Sequence, residues 1–291
     1  MSKERSAVEV IRCIDKMPTL STTAGKVVQI ANDPATDARQ VSKVIQMDPV
    51  LTGRVLRLLN SAYFALPEKI SSVTRAIVML GLNTVKNLAL STSILTNFPP
   101  PEVKTNFDTN LFWEHSVGSG VASKLLANKL GMDRNALEEF FVAGLLHDTG
   151  KLVFNQFLSK EFSMVLKLVE EKALSISEAE TMVIGMTHSE AGKLLGEKWN
   201  LPNPILDVIR YHHDPYNAEI KYQRVTRVVH LGDILCKSKN IGYSGDKVIT
   251  NLDLRVMEDL KITKNDLEGI LGELKQEVEK ASLFIKEAQK K

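Results

Sequence analysis

The sequence predicts an all-α chain, and three observations carry that expectation. Apolar residues recur at helical spacing through most of its length, helix-start residues precede several of those runs, and convincing hairpin signals are absent. In the first third, Val41, Val44 and Ile45 mark one helical face. Asp48-Pro49 then fits a helix start, with the aspartate as N-cap and the proline at the first helical position. Leu51, Val55, Leu58 and Leu59 carry the apolar face of the helix that follows. "SSVTRAIVMLGLNTVKNLALSTSIL" breaks at Gly81 into two short helical patterns.

Residues 97–110, "NFPPPEVKTNFDTN", set three consecutive prolines among polar residues. Proline cannot continue a helix, so this stretch is the strongest boundary in the chain. Beyond it, helical patterns run from Phe112 to Leu130, from Leu137 to about Phe157, from Glu178 to Trp199 and from Pro204 to His213. "RVTRVVHLGDILC" is short and β-branched enough to be helix or strand. From Thr263 onward, Leu267, Ile270, Leu271, Leu274, Val278, Ala281 and Ile285 form one stripe, and Thr263 and Asp266 resemble a capping pair at its start. This tail is expected to be an amphipathic helix packed on the rest of the chain.

The 291 residues are 44% hydrophobic and 25% charged, an ordinary globular composition with ample material for a core. A net charge of +2 argues against a surface built broadly for nucleic acid. No stretch approaches the roughly 18 apolar residues of a membrane span, and "MSKERSAVEV" lacks the apolar core of a signal peptide. Cys13 and Cys236 are far apart and form no CxxC pair. They read as buried thiols in a reducing compartment, and the expected location is cytoplasmic.

Six histidines occur: His115, His147, His188, His212, His213 and His230. Singly, each has an ordinary explanation as a surface or hydrogen-bonded core residue. As a set they are harder to dismiss. His147-Asp148 closes the apolar run "AGLLHDTGK", and His212-His213 precedes Asp214. Asp233 falls in the hydrophobic segment "VVHLGDILC", where an isolated carboxylate would be costly. Imidazoles and carboxylates together suit zinc, iron, manganese or nickel, and one carboxylate can bridge two such ions.

The order His115, His147-Asp148, Asp233 resembles the HD superfamily of metal-dependent phosphohydrolases. "MPTLSTTAGKVVQIANDP", "VIQMDPVLTGRVLRLLNSAYF" and "ISSVTRAIVMLGLNTVKNLAL" are similar to the opening half of an HDOD domain, a bacterial signalling module. The pattern of Asp48, Pro49, Leu51, Leu58, Asn60 and Ser61 is its most specific part, and the likeness extends to about residue 240. It implies two helical subdomains: an N-terminal one over 1–104 and an HD-like metal-binding bundle over 105–245, followed by a helical extension over 246–291. "HDTGK", "THSEAGKLL", "IRYHH" and "RVVHLGDILC" further resemble the ligand segments of the HD-GYP phosphodiesterases. That correspondence implies one ion held by His115, His147, Asp148 and Asp233. Asp148 would bridge to a second, completed by His188, His212 and His213.

Lys151 is then either a partner for a phosphate oxygen or bridging hydroxide, acting with Asp148 as a catalytic residue, or an exposed cation at a helix end. His230 reads as structural or as orienting a ligand. Two departures matter. "DPYNAEIKYQ" after His213 lacks the glycine-tyrosine-proline element, so hydrolysis of cyclic di-GMP is not expected. Leu111 stands where some HD-GYP sites use a glutamate, and Glu114 points elsewhere on the helix, so no third ion is expected.

Two functions from different classes follow. One is a signalling module with a two-metal centre, the N-terminal helices serving a protein partner. The other is a working phosphohydrolase or phosphodiesterase acting on a phosphate-containing small molecule. A helix-turn-helix reading of "TRAIVMLGLNTVKNLAL", with Arg75 and Lys86 facing DNA, is weaker, because the apolar content of both helices fits a packed core pair.

Overall fold

A computed structural model of the chain describes residues 3–98, 105–134, 136–245 and 254–289, and among these residues every regular element is a helix. The N-terminal part comprises α1 (Lys3–Lys16), α2 (Thr22–Asn32), α3 (Ala38–Gln46), α4 (Pro49–Leu59), α5 (Val73–Leu80) and α6 (Leu82–Leu95). The central bundle is built from α7 (Thr109–Lys129), α8 (Leu137–Leu146), α9 (Gly150–Phe157), α10 (Ser159–Lys172), α11 (Ile176–Val183), α12 (His188–Lys198), α13 (Asn203–Tyr211) and α14 (Gln223–Ser238). After it come α15 (Leu254–Leu260) and α16 (Lys264–Gln289). The three prolines at 99–101 lie outside the described residues, and the boundary expected at 245/246 falls where the described residues stop.

Local chemistry explains the N-terminal elements. Asp48 Oδ1 accepts from the N–H groups of Val50 and Leu51 at 2.9 and 3.0 Å, and Pro49 opens α4 as the sequence predicts. Asn60 ends α4 by a different device. Its Nδ2 donates to the carbonyls of Leu56 and Ile70 at 2.7 and 2.8 Å, and its Oδ1 accepts from the Ile70 N–H at 2.7 Å. The side chain thus acts as a short piece of ladder closing the 60–70 loop. Gly81 separates α5 from α6 at φ +89°, a conformation that glycine adopts at little cost. Along α6, Val85, Leu88, Ala89, Leu90 and Ile94 are buried. The apolar faces of α5 and α6 are thus buried, as expected of a core pair.

The central bundle owes its tightness to small residues. A Cβ on Gly144 of α8 would lie 2.8 Å from the Cα of Gly120 on α7. One on Gly232 of α14 would lie 2.5 Å from Ser123 Oγ of α7. Helices approach this closely only where side chains are missing or short, and dispersion attraction across such a crossing is correspondingly strong. Leu267, Ile270, Leu274, Val278 and Ala281 of α16 are buried, and the helix packs on α7 and α4. Thr263 and Asp266 form the expected cap: Asp266 Oδ2 accepts from the Thr263 N–H and hydroxyl at 2.9 and 2.6 Å. The side chain of Ile285 lies outside the described residues.

One apolar core runs through both halves. Polar contacts reinforce the junction. Lys198 Nζ, at the end of α12, donates to the carbonyls of Ile14, Asp15 and Met17 at 2.8, 2.7 and 2.9 Å, closing the C-terminus of α1. Trp199 Nε1 donates to Pro18 O at 3.1 Å.

Several segments differ from expectation. The pattern from Leu137 to Phe157 is two helices, because the chain turns at His147–Thr149; there the Thr149 N–H and hydroxyl both reach back to Leu146 O, at 3.2 and 2.9 Å. Glu178 to Trp199 is likewise broken, at Gly185 with φ +78°. "RVTRVVHLGDILC" is helical within α14. Helix α10 falls where no element is expected, although Phe162, Val165, Leu166 and Val169 give it a helical buried face.

Replacing Asn60 by alanine removes the clamp on Ile70 and strands the N–H and carbonyl it satisfied. The expected loss is about 1–3 kcal/mol of unfolding free energy, read from the denaturant midpoint at unchanged slope. An unaltered midpoint would contradict the clamp.

Candidate metal centre

The turn between α8 and α9 puts His147 and Asp148 at the convergence of five helices. His115 comes from the second turn of α7, and Asp233 from the middle of α14. His188 opens α12, and His212 and His213 follow the end of α13. All are buried except His213, which is half-buried.

Asp148 is the hub. Its Oδ1 lies 3.2 Å from His188 Nε2 and 3.4 Å from His212 Nε2. Its Oδ2 lies 3.3 Å from His147 Nε2 and 3.9 Å from His115 Nε2. Asp233 Oδ1 is 2.9 Å from His115 Nε2 and 3.6 Å from His147 Nε2. His213 Nε2 is 3.0 Å from His188 Nε2. Two groups of ligand atoms, each within 4.8 Å, therefore share Asp148: one with His188, His212 and His213, the other with His115 and His147. The seven residues singled out as ligands in the sequence come together.

The hydrogen bonds around the rings decide which nitrogens face inward. His147 Nδ1 meets Gly144 O at 2.6 Å, and His212 Nδ1 meets Ile209 O at 3.0 Å. His188 Nδ1 meets the Glu180 carboxylate at 2.7 Å. A carbonyl or carboxylate can only accept, so each Nδ1 carries a proton, and each ring turns its Nε2 toward Asp148. Where a ring is neutral, as burial makes His212, the lone pair on Nε2 repels the carboxylate oxygen it faces. Consistently, His147 Nε2, Asp148 Oδ1 and Asp233 Oδ1 are buried without a hydrogen-bond partner, despite their close neighbours. A cation supplies what these atoms lack. Bonds of about 2.0–2.2 Å put neighbouring ligand atoms roughly 3.0–3.5 Å apart, which is the spacing seen for most of these pairs. The buried histidines and aspartates could hold metal.

Electrostatics point the same way. Burial opposes a proton on every ring. At His147 the Asp148 and Asp233 carboxylates outweigh it and hold the imidazole up to about 9. At His212 burial dominates, with His147 and His188 beside it, and drives the group down to about 3. Burial, then His212 and His188, push His213 well below its ordinary value. Burial also lowers His115, against Asp233. Asp148 and Asp233 stay well below the usual carboxylate range although burial opposes it: His147 and Lys151 act on the first, Lys237 and His115 on the second.

Lys151 is not the exposed helix-end cation that the sequence left open. It is fully buried in the first turn of α9, donating to Asp148 Oδ2 at 2.6 Å and to Ser244 Oγ at 3.4 Å. His230 Nδ1 donates to the backbone carbonyl of His212 at 2.7 Å, holding the main chain beside a candidate ligand. Leu111 is partly exposed on α7, where it offers no donor atom. Sequence reasoning missed Glu180, Ser244 and Lys237, whose Nζ pairs with Asp233 Oδ2 at 2.9 Å. Lys237 had a readable signal, since it stands one helical turn after Asp233.

An all-α bundle with a histidine-aspartate pair at a helix turn, ringed by further histidines, is the arrangement of the HD superfamily. The chain belongs to the HDOD family: the HDOD domain matches residues 17–215. It is similar to the crystal structure of an HDOD domain protein of unknown function from Geobacter sulfurreducens, at 27% identity and TM-score 0.77, covering 99% of each chain. A Shewanella amazonensis protein provisionally described as a phosphohydrolase shares the fold at 22% identity and TM-score 0.74, over 97% of this chain and 98% of that one. An uncharacterized protein of Treponema pallidum is 24% identical over 226 residues, 77% of this chain, and this chain spans 42% of that relative's length.

Gly150 offers a test of how the centre is held. A Cβ there would overlap the carbonyl oxygen of His188 and come within 2.7 Å of Gly192 N, so α9 and α12 can meet only over bare backbone. Gly150→Ala must push His188 away from Asp148. The expected result is a loss of thermal stability and weaker metal retention on dialysis; a variant matching wild type in both would show that the helices part freely.

Proposed function

We propose that this HDOD chain is a signalling module that holds two divalent transition-metal ions, the N-terminal helices serving as the docking platform for a protein partner. The observation that carries the metal reading is the set of inward-facing Nε2 atoms around Asp148, those of His147, His188 and His212 fixed by acceptors on the far side of the ring. His115, His147, Asp148 and Asp233 would hold one ion, and Asp148, His188, His212 and His213 the other. Imidazole and carboxylate without thiolate suit iron, manganese, nickel or zinc.

A second reading is a phosphohydrolase or phosphodiesterase. Lys151 favours it: a buried ammonium bonded to the shared carboxylate stands where it would neutralise charge on an attacked phosphate. When bound, divalent ions would supply Lewis acidity and lower the pKa of a coordinated water. Asp148 and Lys151 would then position that water and a phosphate-containing small molecule. Against turnover of cyclic di-GMP, the segment after His213 forms two short turns, Pro215–Asn217 and Ile220–Tyr222, with no glycine-tyrosine-proline loop. Tyr216 in the first of them is tied down by Asp259 at 2.9 Å.

Elemental analysis of purified protein should find about two ions per chain. Asp148→Ala should lose both and His188→Ala mainly one; equal retention in the two variants would rule out a shared aspartate. A screen against phosphomonoesters, nucleotides and cyclic dinucleotides separates the readings, since turnover abolished in Asp148→Ala selects the enzyme and none selects the module.

The pH dependence has a defined sign. His147 carries a proton up to about 9, and an ion can use its Nε2 only by expelling that proton. Affinity for the ion held by His147 should therefore rise as pH climbs toward 9 and fall as pH drops. Calorimetric titration in buffers of different ionisation heat would detect the released proton, and identical heats in all buffers would contradict it.

A further inference from the structure

Glu180 lies outside the proposed ligand set, yet it is fully buried on α11, within reach of His188. Its Oε2 accepts from the His188 backbone N–H at 2.8 Å and from His188 Nδ1 at 2.7 Å, while Oε1 has no hydrogen-bond partner. The start of α12 does not require it, because Thr187 and Glu190 already form a reciprocal capping box there.

Burying a carboxylate costs several kcal/mol unless a positive charge answers it. Among the described residues, the ion-pair partner of Glu180 is the His188 ring alone. A glutamine could offer a carbonyl oxygen to the same two donors without that cost, so hydrogen bonding by itself does not explain a charged side chain. Charge matters when the ring must act as an electron donor. A carboxylate that draws on Nδ1–H fixes the tautomer and makes the opposite nitrogen a stronger ligand.

We propose that Glu180 is a positioning residue dedicated to one of the two metal positions, the one built from Asp148, His188, His212 and His213. It locks Nε2 of His188 toward Asp148 and strengthens it as a donor, while Gly150 packs against the carbonyl side of the same residue. The other position is independent of it, because His147 takes its orienting bond from Gly144 O and Asp233 is paired with Lys237. The inference rests on reading His188 as a ligand.

The test is chelator competition on full-length wild type, Glu180→Gln, Glu180→Asp and His188→Ala, loaded in turn with Mn(II) and Zn(II), together with the melting midpoint of each metal-free protein. Glu180→Gln should melt at or above the wild-type midpoint without metal. It should hold one ion with wild-type affinity and the other about ten- to a hundredfold more weakly. Glu180→Asp, which keeps the charge on a shorter arm, should recover part of that loss, and His188→Ala should lose the same ion outright. Two ions bound by Glu180→Gln as tightly as by wild type would overturn the assignment and leave the two-metal reading standing. So would a glutamine variant that binds better than the aspartate. Wild-type protein that retains no metal would overturn both.

Discussion

A carboxylate cannot sit in a protein interior unless something positive meets it, and Asp148 sits in this one almost entirely removed from water. Much of the surrounding architecture can be read as the answer to that constraint. Lys151 meets one oxygen directly. The imidazoles of His115, His147, His188 and His212 face the two oxygens from α7, the end of α8, the start of α12 and the end of α13. Asp233 repeats the arrangement on a smaller scale, with Lys237 on one oxygen and His115 and His147 beside the other. No single element could deliver these groups, so the centre exists only when the bundle is assembled, and any ion it binds is coupled to folding.

The means of assembly is close packing of backbones. Gly120 and Gly144 let α7 and α8 cross almost in contact, Gly232 seats α14 against Ser123, and Gly150 brings α9 onto the first turn of α12. Each crossing sits within a few residues of a candidate ligand or on a helix that bears one. The small residues therefore do for geometry what the charged ones do for electrostatics: they set donor atoms at separations that a single ion can span.

Much of this was legible in the sequence. The helical periodicity, the Asp48-Pro49 start, the break at Gly81 and the Thr263–Asp266 cap all depend on neighbours in the chain, which is why they could be read. The convergence of the candidate ligands was legible through resemblance, since nothing in the spacing of His115 and Asp233 says that they meet. Interruptions inside apolar runs were hidden: the turn at His147–Thr149 carries neither glycine nor proline where the helix ends, and only tertiary packing reveals it. Glu180 was hidden for a related reason. In the sequence it is one acidic residue in an amphipathic helix, and its burial depends on tertiary packing that brings its carboxylate to the first residue of α12. Lys151 shows the limit most clearly, because a lysine near a helix end is ordinarily solvated, and here Asp148 in the preceding turn and Ser244 from a distant segment meet it in the interior.

The helix that starts with His188 ends where Lys198 grips three carbonyls at the close of α1. A helix of this length is about 16 Å of stiff rod. Its two ends cannot reorient separately, so a displacement at the histidine end would be carried to the close of α1, where that ammonium is the point of attachment.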